Sequence, residues 1–156
     1  MTLYLVQHAK AESKEEGSER PLSEAGWEEI RKIASFAALS GSVRPERIVH
    51  SGKLRAAQTA EVLAESLSPT GVVTEEGGLA PGDDVSIWAE RLSEAKEDVM
   101  LVGHLPHLSR LASQLLCRDE SKALIRFRNA GIVALGRDEA GAWSLMWITV
   151  PGIVPG

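Results

Sequence analysis

The sequence predicts an α/β domain with a mostly parallel, mixed sheet. Short apolar runs alternate with helical patterns, and runs bounded by Gly, Ser or Pro and followed by a helix are typical of buried parallel strands. Three such runs are Leu3–Val6, Ile48–Val49 and Val99–Val102. Near the end of the chain, a turn-rich segment joins two further apolar runs, which predicts an antiparallel hairpin and therefore a mixed sheet.

The first half of the chain contains three predicted strands and two predicted helices. A polar loop at residues 10–20 follows the first strand, and Ser23 is a suitable N-cap for the first helix, whose apolar residues recur at helical spacing. The remaining elements are strand Thr2–Gln7, strand Arg47–His50, helix Leu54–Leu67 and a short strand Gly71–Thr74.

The second half begins with a helix that Asp83 or Asp84 can cap, followed by strand Val99–Val102. The next helix carries Pro106 in its first turn, where a missing N–H costs nothing. The tail has apolar segments Ala123–Phe127, Gly131–Leu135 and Trp143–Thr149. Trp143 and Trp147 lie four positions apart, which predicts that both side chains lie on the same face of the last strand.

Composition excludes several classes of protein. A chain of 156 residues with 44% hydrophobic residues is large enough to bury a core and predicts one domain, residues 1–156. A net charge of −5 argues against nucleic-acid and anionic-membrane partners. Cys117 is the only cysteine, which excludes an intramolecular disulfide, and we expect its side chain to be buried. Without a long apolar run or a signal-peptide pattern, the expectation is a soluble cytoplasmic protein.

Two histidines and an arginine follow the three predicted parallel strands. His8 ends the first, Ser51–Arg55 follows the second, and Gly103-His104 follows the third. In open α/β sheets, ligands bind outside the carboxyl ends of the strands. If these ends are neighbours, two imidazoles and a guanidinium converge on one point, which suits the binding and attack of a phosphoryl group. The sequence therefore predicts an enzyme.

The motifs resemble those of the histidine phosphatase superfamily, the phosphoglycerate-mutase-like enzymes, and most resemble its small phosphohistidine phosphatases of the SixA type. The resemblance covers nearly the whole chain and arises in four segments in the family order. These are Leu3–Glu12, Arg20–Gly26, the Ser-x-x-x-Arg-Ala-x-Gln-Thr motif at Ser51–Thr59, and Val102–Pro106. The resemblance implies a single-domain, three-layer α/β/α sandwich.

The resemblance also implies a reaction through a covalent phosphohistidine. His8 would attack phosphorus, Arg55 would hold two phosphoryl oxygens, and His104 would donate to another. The phosphate site would be completed by Gln7, Arg20, Ser51 and Lys53. No metal or cofactor is required, since Arg and His supply the positive charge. Because the chain lacks long insertions, we expect an open groove, which would suit a phosphorylated protein. The alternative substrate is a small phosphorylated molecule.

One position departs from the family pattern. The family has an arginine where this chain has Gln7, and losing one charged contact could cost about 2–4 kcal/mol of transition-state stabilisation. Lys10 or Lys53 could compensate in part. The alternative function is therefore a catalytically silent module that binds phosphorylated ligands in the same pocket.

Other roles stay open at this point. The general acid could be any of Glu75, Glu76, Asp83 and Asp84. We expect His50 to be non-catalytic and His107 to be structural and partly exposed. A zinc hydrolase using His50, His104 and His107 is a third interpretation, which no recognised ligand motif supports.

Overall fold

The computed structural model describes residues 1–13, 19–69 and 71–156, and residues 14–18 of the predicted first loop lie outside this description. Within the described residues the chain forms six strands and four α-helices. In chain order they are β1 (Thr2–Gln7), α1 (Glu24–Ser40), β2 (Arg47–His50), α2 (Leu54–Leu67), β3 (Val73–Glu75), α3 (Ser86–Glu94), β4 (Val99–Gly103), α4 (His107–Cys117), β5 (Ile132–Arg137) and β6 (Trp143–Thr149).

The strands form one mixed sheet in the order β3-β2-β4-β1-β5-β6. The four strands from β3 to β1 are parallel, and β5 runs antiparallel to both β1 and β6. The predicted α/β class and mixed sheet are thus confirmed. Because β2, β4 and β1 are neighbours and run parallel, their carboxyl ends lie side by side at one edge of the sheet.

A hydrophobic core lies on each face of the sheet. On one face, alternate residues of β1 such as Tyr4 and Val6 pack with α1 and α2. On the other face, Leu3 and Leu5 pack with α3 and α4. The period-two alternation of strand side chains therefore places two helices on each face, which gives the three-layer sandwich.

Helix α1 begins as predicted. Ser23 is its N-cap, and the Ser23 hydroxyl oxygen accepts a hydrogen bond from the Gly26 N–H at 3.0 Å. The helix ends at Ser40 and is followed by the C-cap residue Gly41, whose φ of 69° is the left-handed conformation that glycine adopts without steric cost. Helix α2 also has its predicted bounds, whereas β3 lies at Val73–Glu75 rather than Gly71–Thr74.

The segment Ala123–Phe127 forms no strand. Ile125 and Phe127 are each 7% exposed, while Arg126 and Arg128 are exposed. The side chains of Ile125 and Phe127 are buried in the core on the α4 side of the sheet, and the segment pairs with none of the strands of the described residues.

The prediction that Trp143 and Trp147 share a face of β6 is wrong. The register of the β5–β6 pair passes from Ala134↔Trp147 to Leu135↔Leu145, so Met146 is an extra residue on β6. A bulge of one residue reverses the facing of the side chains beyond it. Trp147 consequently packs on the core beneath α1 and α2, and Trp143 on the opposite core.

The prediction that Cys117 is buried is also wrong. Cys117 is the last residue of α4 and is exposed, although its thiol lies 3.2 Å from the Ser113 carbonyl oxygen. The buried stripe of α4 includes Leu108, Leu111 and Ala112, and Cys117 falls off that stripe. No helix in the described residues combines the length and the apolar character needed to cross a membrane.

Candidate active site

The three predicted strand ends meet at one edge of the sheet. Gln7 at the end of β1 pairs with Gly103 at the end of β4, and His50 at the end of β2 pairs with Val102. His8 and His104 follow these ends directly. Their ring centroids are 5.1 Å apart and the ring planes are tilted by 50°. The convergence predicted from the strand ends is therefore present.

His8 is held by its main chain and by its own ring. Its N–H donates to the Gly103 carbonyl oxygen at 3.0 Å, which extends the β1–β4 pairing by one residue. The ring Nδ1 lies 2.7 Å from the Ala9 carbonyl oxygen. A carbonyl can only accept, so Nδ1 carries the proton and the lone pair of a neutral ring lies on Nε2. Burial is the main cause that lowers the pKa of His8, and the charges of Arg55 and Arg20 lower it further.

Arg55 lies in the first turn of α2, and a hydrogen-bonded chain joins this turn to the end of β1. The Ala9 N–H donates to the Thr59 hydroxyl oxygen at 3.0 Å, and that hydroxyl donates to the Arg55 carbonyl oxygen at 2.7 Å. The N-terminus of a helix carries positive potential, to which Arg55 adds a full charge. The Thr59 hydroxyl thus fixes the start of α2 relative to His8.

His104 is 2% exposed and contacts Ser51. Its Nε2 lies 2.6 Å from the Ser51 hydroxyl oxygen, and that oxygen accepts a hydrogen bond from the Lys53 N–H at 3.3 Å. Burial lowers the pKa of His104 to about 3, with further lowering by the charges of His8, Arg55, Lys53 and His107. The His104 ring is therefore neutral near pH 7 and offers one N–H for donation.

Two further cations contribute positive charge to this edge. Arg20 lowers the pKa of both His8 and Arg55, and its Nε donates to the Glu12 carbonyl oxygen at 3.0 Å. Lys53 is exposed immediately before α2. Lys10 differs, because its Nζ lies 3.4 Å from a carboxylate oxygen of Glu29 on α1. Arg20 and Lys53 thus lie with the predicted site, and Lys10 is engaged elsewhere.

Gln7 is partly exposed at the end of β1, and its Oε1 is buried without a hydrogen-bond partner in the described part of the chain. Its main-chain carbonyl accepts from the Ala130 N–H at 2.9 Å. Next to this contact, the Asn129 side-chain amide donates to the His8 carbonyl oxygen at 2.9 Å. Asn129 was not predicted from the sequence, because a side chain that contacts a distant main-chain carbonyl leaves no local pattern.

Three of the four candidate acids have structural partners. Glu76 lies 2.9 Å from the Arg47 guanidinium, Asp83 accepts from the Ala80 N–H at 2.9 Å, and Asp84 accepts from the Ser86 N–H at 2.9 Å. The hydrogen bonds from Ser86 hold the pKa of Asp84 below its usual value.

The remaining acid, Glu75, lies against the loop that carries Ser51. Gly52 in that loop has a φ of 91°, and a Cβ built there would lie 2.6 Å from the Glu75 carboxyl carbon. Glu75 is thus the acidic side chain that approaches the predicted site.

The structure does not bring the three histidines of the zinc interpretation together. Among the described residues, no group of three or more His, Cys, Asp and Glu side chains could hold a metal ion. His50 Nδ1 accepts from the Gly52 N–H at 3.1 Å. His107 is fully buried at the start of α4, so the prediction of partial exposure is wrong. Its burial lowers its pKa.

A protein-family model described as "Histidine phosphatase superfamily (branch 1)" matches residues 3–79. This range contains His8, the Ser51–Thr59 motif and Glu75, and it ends before His104. Among curated proteins, no sequence matches the chain at a significant level.

Solved structures resemble the chain over almost its full length. The protein histidine phosphatase SixA in complex with tungstate is 25% identical, with a TM-score of 0.86 over 97% of this chain and 98% of that one. A structure assigned to the phosphohistidine phosphatase SixA from Agrobacterium tumefaciens is 26% identical, with a TM-score of 0.79 over 96% of this chain and 97% of that one. The α-ribazole phosphatase from Shigella flexneri shares the fold at 15% identity, with a TM-score of 0.79 over 97% of each chain.

Proposed function

Because the chain belongs to the histidine phosphatase superfamily and is a phosphatase, we propose that it hydrolyses phosphohistidine on a protein substrate, without a metal, through a phosphohistidine intermediate on His8. The observation that carries this proposal is the 2.7 Å contact between His8 Nδ1 and the Ala9 carbonyl oxygen. It leaves Nε2 of a neutral imidazole as the nucleophile, beside a second neutral imidazole and a guanidinium.

In the first step, His8 Nε2 attacks phosphorus as the bond between phosphorus and the leaving imidazole nitrogen of the substrate breaks. The electron pair goes to that nitrogen, which takes a proton from solvent. Negative charge on the phosphoryl oxygens would be stabilised by Arg55, by the N–H of His104 and by the N-terminus of α2. In the second step, water attacks phosphorus and gives up a proton to solvent, the bond between phosphorus and His8 Nε2 breaks with its electron pair returning to Nε2, and inorganic phosphate leaves.

Burial and neighbouring positive charge support a neutral His8 at the start of this reaction. Burial and two neighbouring guanidinium groups lower its pKa, so the nucleophilic form is present at neutral pH. The positive charge that binds the phosphoryl group comes from side chains, which is why we expect no dependence on a metal.

The acidic side chains favour a substrate whose leaving group needs little help from an enzyme acid. An imidazole leaving group is protonated readily by solvent, whereas an alkoxide requires a positioned acid. Three of the four candidate acids have structural partners, and Glu75 is exposed beside Gly52. A phosphoramidate substrate therefore does not require any of these four side chains as a general acid, including Glu75, which approaches the site.

The proposal is tested by trapping the intermediate. The enzyme is mixed with a 32P-labelled phosphohistidine protein in EDTA, quenched during turnover and digested, and the labelled peptide is identified. We expect label that is lost in acid and retained in base on the peptide containing His8. The matched control is His50→Ala, which changes a histidine at a neighbouring strand end and should retain the label.

Two results would contradict the proposal. Label that persists in His8→Ala would exclude His8 as the nucleophile. Hydrolysis of an aryl phosphate or of phosphoserine without any hydrolysis of phosphohistidine would mean that the protein is a phosphatase for a different class of substrate.

A further inference from the structure

Two exposed arginines lie on the segment that leads into β5. In the segment Leu124–Asn129, which we call the arginine segment, Ile125 and Phe127 are each 7% exposed and anchored in the core. Arg126 and Arg128 alternate with them and are exposed. Because the two apolar side chains point inward, the backbone directs both guanidinium groups to solvent.

The arginine segment adjoins the site at its C-terminal end. The Asn129 amide donates to the His8 carbonyl oxygen at 2.9 Å, and the next residue, Ala130, donates from its N–H to the Gln7 carbonyl oxygen at 2.9 Å. Consecutive Cα atoms are about 3.8 Å apart, so Arg128 lies one such step from a residue that contacts His8. Arg128 thus belongs to the rim of the site, and Arg126 lies two residues further along the same exposed segment.

The charge of this rim contrasts with that of the whole chain. The chain carries a net charge of −5, yet neither Arg126 nor Arg128 has an ion pair within the described ranges. On the opposite flank, Lys53 is exposed after β2, but there the Glu75 carboxylate lies beside Gly52. Glu12 in the first loop is a further exposed carboxylate. Arg20 also lies at this edge, but it shares the first loop with Glu12, so among the described residues the unbalanced positive charge lies on the flank formed by the arginine segment.

The width of the rim exceeds that of a phosphoryl group. The ends of β2 and β5 are separated by three strand spacings, with β4 and β1 between them, which is about 14 Å. A small phosphorylated molecule held at His8 would occupy only part of that width. A folded phosphoprotein would cover the whole edge, and its side chains around the phosphorylated residue would face Arg126 and Arg128.

We propose that Arg126 and Arg128 bind acidic side chains of the protein substrate next to its phosphorylated residue. The inference rests on the proposed function and adds to it that the substrate surface around the phosphorylated residue is acidic. Exposed charges at the rim of an interface change the rate of association and its salt dependence more than the chemistry of the bound complex. The two arginines therefore determine specificity for the substrate and do not take part in catalysis.

The test compares two synthetic phosphohistidine peptides of equal length, one flanked by glutamates and one by glutamines, and includes an aryl phosphate. In the double variant Arg126→Gln, Arg128→Gln we expect KM for the acidic peptide to rise about five- to tenfold, with kcat nearly unchanged. The other two substrates should be hardly affected. The matched control, Arg44→Gln with Arg118→Gln, removes the same charge from exposed arginines away from this edge of the sheet. In about 1 M salt, where the Debye length is about 3 Å, the wild-type preference for the acidic peptide should disappear.

The outcomes separate this inference from the proposed function. Equal KM values for the two peptides with the wild-type enzyme, or an equal rise of both in the Arg126/Arg128 variant, would overturn the inference and leave the proposed function standing. A similar rise in the control variant would show a general effect of net charge and would also overturn it. Failure of the wild-type enzyme to hydrolyse either peptide, with the aryl phosphate hydrolysed, would overturn the proposed function and the inference together.

Discussion

The side-chain amide of Asn129 donates a hydrogen bond to the main-chain carbonyl oxygen of His8 at 2.9 Å, across 121 positions of the sequence. The main chain of His8 is therefore held on both sides, since its N–H donates to the Gly103 carbonyl oxygen at 3.0 Å. The direction of a side chain at a strand end depends on the main chain that carries it. Asn129 is thus a positioning residue for the His8 imidazole.

We expect Asn129→Asp to lower kcat about tenfold with little change in KM. The aspartate is similar in size but cannot donate when ionised, so a buried carbonyl loses its partner, at a cost of about 1–3 kcal/mol. The measurement is kcat and KM with an aryl phosphate, together with the free energy of unfolding from urea titration. Asn129→Gln keeps the amide and should recover part of kcat. Unchanged kcat in Asn129→Asp at full stability would show that the contact does not orient His8.

The two site histidines should remain neutral at pH values where a free imidazole is already protonated. Both have a pKa below the ordinary 6.5, that of His104 at about 3, mainly because burial disfavours the charged ring. A depressed pKa in the folded state means that the unfolded chain binds more protons as the pH falls. The resulting contribution to stability is complete above pH 6.5 and is lost progressively as the pH falls from 6.5 towards about 3.

This pH dependence can be measured in two ways. In the free enzyme, the NMR titration of the His104 ring should have its midpoint well below 6.5, and the titration of His8 should also lie below 6.5. The free energy of unfolding of His104→Gln should fall less steeply than that of the wild type over the same range. A midpoint near 6.5 for His104 would contradict the prediction.

The convergence of the site could be predicted because it depends on local patterns and one topological rule. Apolar runs locate β1, β2 and β4, and the parallel order follows from the helices that connect them. Any arrangement in which the three strands are neighbours places His8, Arg55 and His104 at one edge. The sheet order confirms this, whereas the chemical roles of the three residues remain predictions.

Contacts between distant segments could not be predicted in the same way. The facing of Trp147 depends on one extra residue in β6, and the sequence around Met146 contains no glycine that would mark a bulge. The burial of His107 depends on the protein surface that covers the start of α4. Such features depend on how helices and strands pack against one another. Packing of this kind leaves no periodic pattern or residue spacing in a single sequence.

Gly26 holds the start of α1 close to the loop that follows His8. A Cβ at this position would lie 2.0 Å from the Lys10 carbonyl oxygen, which also accepts from the Ser23 N–H at 2.9 Å. The added methyl group of Gly26→Ala must push the loop or the helix away, and we expect a loss of about 2–4 kcal/mol in the free energy of unfolding.

Activity should fall with stability in Gly26→Ala, because the displaced loop continues from Ala9, which contacts Thr59. The control is Gly77→Ala, where an added Cβ meets no atom within 4 Å. Urea unfolding of both variants checks the difference. Equal stability of the two alanine variants would mean that the loop adjusts freely.

Gln7 stands where the family has an arginine. A phosphoryl group carries about two negative charges near neutral pH, so an added guanidinium should strengthen both binding and charge stabilisation during transfer. We expect Gln7→Arg to raise kcat/KM about tenfold. Arg55→Gln should lower it by about a hundredfold or more, because Arg55 stands in the first turn of α2 beside the nucleophile.

The structure decides which lysine can already compensate for Gln7. Lys10 is paired with Glu29 at 3.4 Å, whereas the charge of Lys53 lowers the pKa of His104 and so acts within the site. Lys53→Ala should therefore lower kcat/KM, and Lys10→Ala serves as its matched control. If Gln7→Arg leaves kcat/KM unchanged, a loss of activity in Lys53→Ala would assign the compensating charge to Lys53. If all three variants match the wild type while remaining folded, positive charge at this edge does not limit the reaction, and the proposed role of the pocket in phosphoryl transfer is wrong.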